Sequence, residues 1–205
     1  ASNSFNFKAI DGASPSNAFT IAAWVNFDDL TGSDNQFVIA KYNPGVVNEQ
    51  QYSLEVDPDG AGRGSFLFKI FNGVELNRRL QLQATDLKVR PGEWFHVVAT
   101  FSGTVSDGAT ANSGIKLYIN GTPTTESSVF AGAGGAFTFI PDGAAPFSIG
   151  NHYNNPTDTD FFGQISEVAV WSTELSSDDV QVLYNFKETV AYRFSSGFVN
   201  LPPRV

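Results

Sequence analysis

Apolar side chains recur at every second position through much of the chain, the period that puts alternate residues on one face of a pleated strand. Residues 19–27 are the clearest case: Phe19, Ile21, Ala23, Val25 and Phe27 share one face, and Thr20, Ala22, Trp24 and Asn26 share the other. Comparable segments at 37–41, 51–56, 65–71, 79–84, 94–101, 115–119, 147–150 and 161–171, with an opening one at 4–10, predict an almost wholly β chain. Pro58-Asp59-Gly60, Arg90-Pro91-Gly92 and Asn120-Gly121 separate them with residues that tolerate turn geometry. Asn120-Gly121 directly follows Ile115-Lys116-Leu117-Tyr118-Ile119, and a type I′ turn needs two residues that accept positive φ, so a tight hairpin is expected there. With Thr122 the same pair spells a glycosylation sequon, but the turn already accounts for both residues.

A single helix is predicted, a short lid over residues 176–184, with Ser176 as cap, Asp179 three positions on, and Val180, Leu183 and Tyr184 as its apolar stripe. The Gly-rich run at 131–136 reads as a flexible connection, and nothing repeats at a fixed period. The chain thus divides into a β-sandwich over residues 1–185 and a tail over 186–205, a linker or docking segment whose Pro202-Pro203 favours an extended form.

At 205 residues one all-β domain suffices. A globule of this size buries roughly 70% of the surface its unfolded chain exposes, so it needs no metal or disulfide merely to fold. The absence of cysteine excludes disulfides, a thiolate nucleophile and Cys-type metal sites. Methionine is absent too, so the common side-chain oxidations have no target, which suits an extracellular, cell-surface or particle-surface location. A start without Met is expected of a processed chain or of a piece of a longer precursor, and the polar residues 1–6 do not resemble a signal peptide. The net charge of −9, with only 12 scattered Lys and Arg, argues against nucleic acid as a partner. No apolar run approaches the ~18 residues of a membrane span, so membrane insertion is not expected.

Five motifs stand in a fixed order: Phe19-Thr20-Ile21-Ala22-Ala23-Trp24-Val25; Gly92-Glu93-Trp94-Phe95-His96-Val97-Val98-Ala99-Thr100-Phe101; Lys116-Leu117-Tyr118-Ile119-Asn120-Gly121; Phe147-Ser148-Ile149-Gly150; and Phe162-Gly163-Gln164-Ile165-Ser166-Glu167-Val168-Ala169-Val170-Trp171. In that order the chain resembles the laminin-G-type members of the concanavalin A-like lectin/glucanase superfamily over about residues 5–185. The resemblance implies an all-β fold, a two-sheet antiparallel jelly-roll sandwich with one short helix near the C-terminus. It also implies a role in sugar binding, surface adhesion or appendage to larger enzymes or particles. Fold alone does not decide among these. On the same resemblance Trp24, Trp94 and Trp171 are expected to pack in the hydrophobic layers.

Calcium is the cofactor the resemblance raises, an ion that takes about six to eight oxygen ligands. Asp11-Gly12 resembles the early acidic turn that contributes to such a site, while Ser166 stands where relatives frequently carry an aspartate, which weakens it.

Among candidate binding residues, the loop with His152, Tyr153, Asn154, Asn155, Asp158 and Asp160 joins an aromatic ring to amides and carboxylates, the mixture that suits a saccharide. Rings stack on the C–H faces of a pyranose, and planar amides and carboxylates pair with its hydroxyls. A solvated connection rich in turn formers would have the same composition. Tyr42 and Asn43, at a strand end, form a second candidate wall if the fold brings them to the same rim.

Glu55 and Asp57 share a strand face, the best lead to a glycosidase pair, but no third carboxylate completes the arrangement of the sandwich glucanases. The plainer reading makes residues 57–60 a turn and Glu55 a solvated edge residue. A Ser-His-Asp site would have to use His96, which lies inside a strand, or His152. The expectation is therefore no enzyme and no catalytic residue. The chain reads as a recognition module for a glycan or a surface protein. Its alternative is a structural decoration or adhesion protein of a virion, filament or cell surface, docked through its tail to copies of itself or to a host particle.

Overall fold

A computed structural model describes residues 5–7, 17–72, 79–85, 88–103, 114–131, 139–154 and 160–195, with backbone only for 126–131 and 187–195. The described strands are β1 (Phe19–Phe27), β2 (Gln36–Tyr42), β3 (Gln50–Pro58), β4 (Gly64–Phe71), β5 (Arg79–Ala84), β6 (Trp94–Phe101), β7 (Ile115–Ile119), β8 (Thr122–Pro123), β9 (Glu126–Ala131), β10 (Ser148–Ile149) and β11 (Gly163–Trp171). They form two antiparallel sheets, a five-stranded one ordered β11-β1-β6-β7-β8 and a six-stranded one ordered β10-β2-β3-β4-β5-β9. The chain crosses between sheets after β1, β5, β8 and β10, so both are built from distant segments, as in a jelly roll. The predicted opening strand at 4–10 lies mostly outside the described residues, and Phe5 to Phe7 are not strand. β8 and β9 were not anticipated.

The interior forms where the two apolar faces meet. Phe19, Ile21, Val25, Phe27, Val97, Phe101 and Leu117 of one sheet join Tyr52, Leu54, Val56, Phe66, Phe68, Ile70 and Leu82 of the other in one cluster, all fully buried. Each such Phe or Leu contributes roughly 1.5–3 kcal/mol. Phe19 stands among the rings of Phe7, Tyr52, Phe68 and Phe101.

Asn120 (φ 52°) and Gly121 (φ 78°) make the expected two-residue turn, with Ile119 paired to Thr122. The helix α1 (Ser177–Ser195) starts as predicted: the Ser176 hydroxyl accepts from the Asp179 N–H at 3.2 Å, and the Ser176 N–H donates to the Asp179 carboxylate at 3.0 Å. It runs past the predicted end at Tyr184 and into the expected tail. The prolines of the tail lie outside the described residues.

The helix lies on the outer face of the five-stranded sheet. Val180 packs with Ala22, Val98 and Tyr118, and Tyr184 stacks at 5.7 Å on Trp24 and at 6.0 Å on His96. The tryptophans lie outside the layer between the sheets: Trp171 packs against this second apolar cluster and Trp24 on Tyr184, and Trp94 alone departs from the expected packing. Trp24 and Trp171 face outward toward the helix, and Trp94 is 39% exposed. The wholly apolar face of β1 meets the second sheet, and Trp24 stands on the mixed face with Thr20, Ala22 and Asn26.

Candidate functional site

The outer face of the six-stranded sheet carries the polar alternate positions of its strands. Lys69 stands between Ser53 and Gln81 in the cross-strand register, and Leu67 stands between Glu55 and Gln83. Toward one end Phe71 pairs with Arg79, whose Nε donates to Gln81 Oε1 at 3.1 Å.

A β-bulge brings an aromatic wall to this face. The register of β2 on β3 shifts between Phe37 and Ile39, which makes Val38 an extra residue, and Val38 and Ile39 both enter the core. Phe37 and Tyr42, an odd number of residues apart, therefore share the outer face, with rings 6.1 Å apart at 19°. Phe71 meets Tyr42 at 4.9 Å from β4.

Beyond β10 the chain turns at Gly150 (φ 76°) and lays His152 across this wall, edge-on to Phe37 at 4.6 Å and to Tyr42 at 5.4 Å. Asn151 fixes the return: its side-chain oxygen accepts from the His152 N–H at 2.6 Å, and its amide donates to Asp160 at 2.5 Å. The two candidate walls read from the sequence, Tyr42 and the 151–160 loop, thus converge.

The other candidates are placed differently. Tyr153 is 48% exposed, and Asn154 and Asp160 also face solvent. Asn43 is buried away from the wall, its amide donating to Glu49 at 2.5 Å and its N–H to the Glu49 carbonyl at 2.9 Å. Asn155, Asp158, Asp11 and Gly12 lie outside the described residues.

Glu55 corrects a second expectation. It is not a solvated edge residue: it lies on a central strand, 1% exposed, and its carboxylate accepts from Lys69 Nζ at 2.5 Å, Asn35 Nδ2 at 2.8 Å and Ser53 Oγ at 2.5 Å. Asp57 accepts from Gln83 Nε2 at 3.2 Å, and the predicted turn follows it, with the Asp59 carboxylate capping the N–H groups of Ala61 and Arg63. Burial raises the Tyr42 phenol above its ordinary pKa and the Glu55 charge adds to the rise, with Arg79 opposing, so the hydroxyl stays protonated and able to donate. Phe37, Phe71, Lys69, Arg79 and Gln81 were not picked out from the sequence. The available signal was the run of polar residues at every second position, Gln51, Ser53, Glu55 and Asp57, in a strand whose other face is apolar.

Among the described residues no three acidic or histidine side chains gather into a metal-binding group. Ser166, at the position where a carboxylate was missed, lies within β11 opposite Trp24.

The two-sheet antiparallel jelly roll is the architecture of the concanavalin A-like β-sandwiches. The laminin-G family model described as the concanavalin A-like lectin/glucanases superfamily matches residues 2–181, and the chain belongs to that superfamily. No curated protein matches. Among solved structures, a candidate carbohydrate-binding protein from Bacteroides ovatus is similar with a TM-score of 0.52 and 20% identity, over 80% of this chain and 40% of that one. A heptameric SAP-like pentraxin from Limulus polyphemus aligns with a TM-score of 0.51 and 14% identity, over 83% of this chain and 72% of that one. The Trypanosoma rangeli sialidase aligns with a TM-score of 0.53 and 17% identity, over 85% of this chain and 23% of that one. At these identities the likeness is one of fold, and the chain spans less than half of the first and third of these proteins.

Proposed function

We propose that this chain is a non-catalytic, lectin-like recognition module that binds a glycan on the outer face of its six-stranded sheet, at the wall formed by Tyr42 and His152. The observation that carries the reading is the meeting of those two rings at 5.4 Å, from a strand end and a loop far apart in sequence, on the sheet face that also carries Lys69 and Gln81. An aromatic wall next to fixed donors and acceptors is what a pyranose needs, since its C–H face stacks while its hydroxyls hydrogen-bond. Membership of a lectin/glucanase superfamily supports the reading. A hydrolytic role is disfavoured because the Glu55 carboxylate is 1% exposed and already engaged by three donors, out of reach of a substrate bond. Asp11 and Gly12 stay the candidates for a calcium site.

The test is a glycan array followed by calorimetric titration, with and without calcium. Tyr42→Ala should weaken binding by about tenfold, the loss of one stacking contact, and His152→Ala, which removes a 9%-exposed ring packed edge-on against Tyr42, should weaken it through the lost support of that ring. Wild-type affinity in both variants, or no glycan bound under either condition, overturns the proposal.

A second reading is that the domain decorates a surface or particle outside the cell and docks through its C-terminal segment. The observation in its favour is on α1, where Val182 is 63% and Phe186 62% exposed, one turn apart on the side away from the sheet. Nucleic acid and membrane insertion remain outside both readings; no described helix is long and apolar enough to cross a membrane.

A further inference from the structure

We propose that the C-terminal segment Leu201-Pro202-Pro203-Arg204-Val205 docks on this chain's own five-stranded sheet, across the exposed rings of Trp94 and Phe162, with Arg204 against the carboxylates of Asp28 and Glu93. The contact lies within one molecule and rests on neither functional reading above. An outside partner for the segment, or for the patch it covers, has to displace it.

Register and parity place the patch. Asn26 of β1 pairs with Trp94 of β6 and with Gln164 of β11, and two residues on the Asp28 N–H donates to the Phe162 carbonyl at 2.9 Å. Val25, Phe27 and Phe95 turn into the core, so Asn26 and Trp94 turn outward. Trp94 is 39% and Phe162 56% exposed; Asp28, Glu93 and Gln164 are exposed as well, while the side-chain oxygen of Asn26 is buried. The turn before β6 adds one base, Arg90, so the two carboxylates leave the patch acidic. One row away the same face is covered, with Trp24 and His96 beneath Tyr184.

Chemistry and reach select the occupant. A polyproline II segment has no internal hydrogen bonds to occupy its carbonyls, and it docks on aromatic-lined surfaces. The Trp94 indole N–H and the Gln164 amide are donors of the kind those carbonyls accept. Trp94 and Phe162 stand two strands apart, roughly 10 Å at the usual spacing, which three or four residues at about 3.1 Å each cover. Charge agrees: residues 189–205 hold Arg193 and Arg204 and no carboxylate side chain, in a chain of net charge −9. The helix delivers the segment to the patch. Val180 lies on the Ala22–Val98 row and Tyr184 on the Trp24–His96 row, so α1 advances toward the Asn26–Trp94 row. Its end at Ser195 is eleven residues beyond Tyr184, about 16 Å, and an extended 196–200 spans roughly 17 Å, enough to return. A segment on so short a tether meets its own patch at an effective concentration in the millimolar range, ahead of any second copy in dilute solution.

The absence of cysteine makes the test direct, because a single introduced thiol is the only group a nitroxide label can take. The full chain, isotope-labelled on nitrogen and carrying Asn200→Cys with the nitroxide, gives three indole N–H signals in an NMR spectrum, from Trp24, Trp94 and Trp171. Trp94→Phe identifies the signal of Trp94 by its loss. That signal should lose most of its intensity to the label, and the loss should persist on dilution. Adding Pro202→Gly, Pro203→Gly and Arg204→Glu keeps the tether length and should restore most of the intensity. Unchanged positions of the Trp24 and Trp171 signals show that the variants fold. Equal broadening of Trp94 with and without those substitutions overturns the proposal. So does broadening of the same strength when nitroxide and isotope sit on different molecules, which makes a second copy the acceptor.

Discussion

Glu55 and Lys69 face each other across β3 and β4 with a 2.5 Å contact, and their side chains are only 1% and 12% exposed. A buried pair of this kind gains little net stability over an apolar pair, because removing both charges from water offsets most of their attraction. Removing one partner is another matter. Glu55→Ala leaves an ammonium, an amide and a hydroxyl without their common acceptor and should destabilise the fold by about 3–5 kcal/mol in urea melts. Replacing both, Glu55→Leu with Lys69→Met, should recover most of that loss. A Glu55→Ala variant as stable as wild type would mean that the carboxylate is solvated after all. The polar face beside Tyr42 is thus held in place by a network rather than by single contacts, and a preorganised binding surface needs that rigidity.

At the scale of elements, the joint between α1 and the five-stranded sheet carries a titratable group. His96 is 4% exposed among Trp24 and Tyr184, its Nδ1 has no hydrogen-bond partner, and burial pushes its pKa down to about 4. The folded state therefore refuses a proton that the unfolded chain accepts near pH 6.5. Stability from this group is fully present above about pH 6.5 and declines as pH falls toward 4, by up to roughly 3 kcal/mol in all. Chemical-denaturation midpoints measured from pH 7 to pH 4 should fall more steeply for wild type than for His96→Phe. Equal slopes would remove His96 as a source of acid sensitivity. The carboxylates of Asp29, Asp59 and Asp179, each held low first by a hydrogen bond, lose their contribution only at lower pH and do so equally in both proteins.

For the molecule as a whole, the two outer faces are open to partners to different degrees. On the six-stranded sheet His152, 9% exposed, lies against Tyr42, whereas on the five-stranded one α1 lies over Trp24, His96 and Tyr118 and continues as a 19-residue helix of about 28 Å. Val180 and Tyr184, its described contacts with the sheet, precede Phe186. Removing residues 186–205 should therefore leave the sandwich folded, with the same β-type circular dichroism. On the docking reading the truncated chain should no longer join its native particle. Retained incorporation would overturn that reading and leave glycan binding to account for the domain.

What the sequence determined by itself was local. Period-two alternation placed the strands, Asn120-Gly121 made the hairpin, and Ser176 with Asp179 started the helix, because each depends on neighbours a few residues apart. The order of five loosely matching motifs carried the family. Tertiary structure decided which face of each strand turned inward and what covered the other. The mixed face of β1 carries Trp24, and the docking of α1 decides that Trp24 is covered while Trp94 stays 39% exposed. The extra residue at Val38 puts Phe37 on the same side as Tyr42, and a return fixed by Asn151 brings His152 to them. Glu55 looked solvated because its partners, Asn35 and Lys69, come from other segments of the chain. Those pairings depend on register between distant strands, and one strand's own pattern does not encode it.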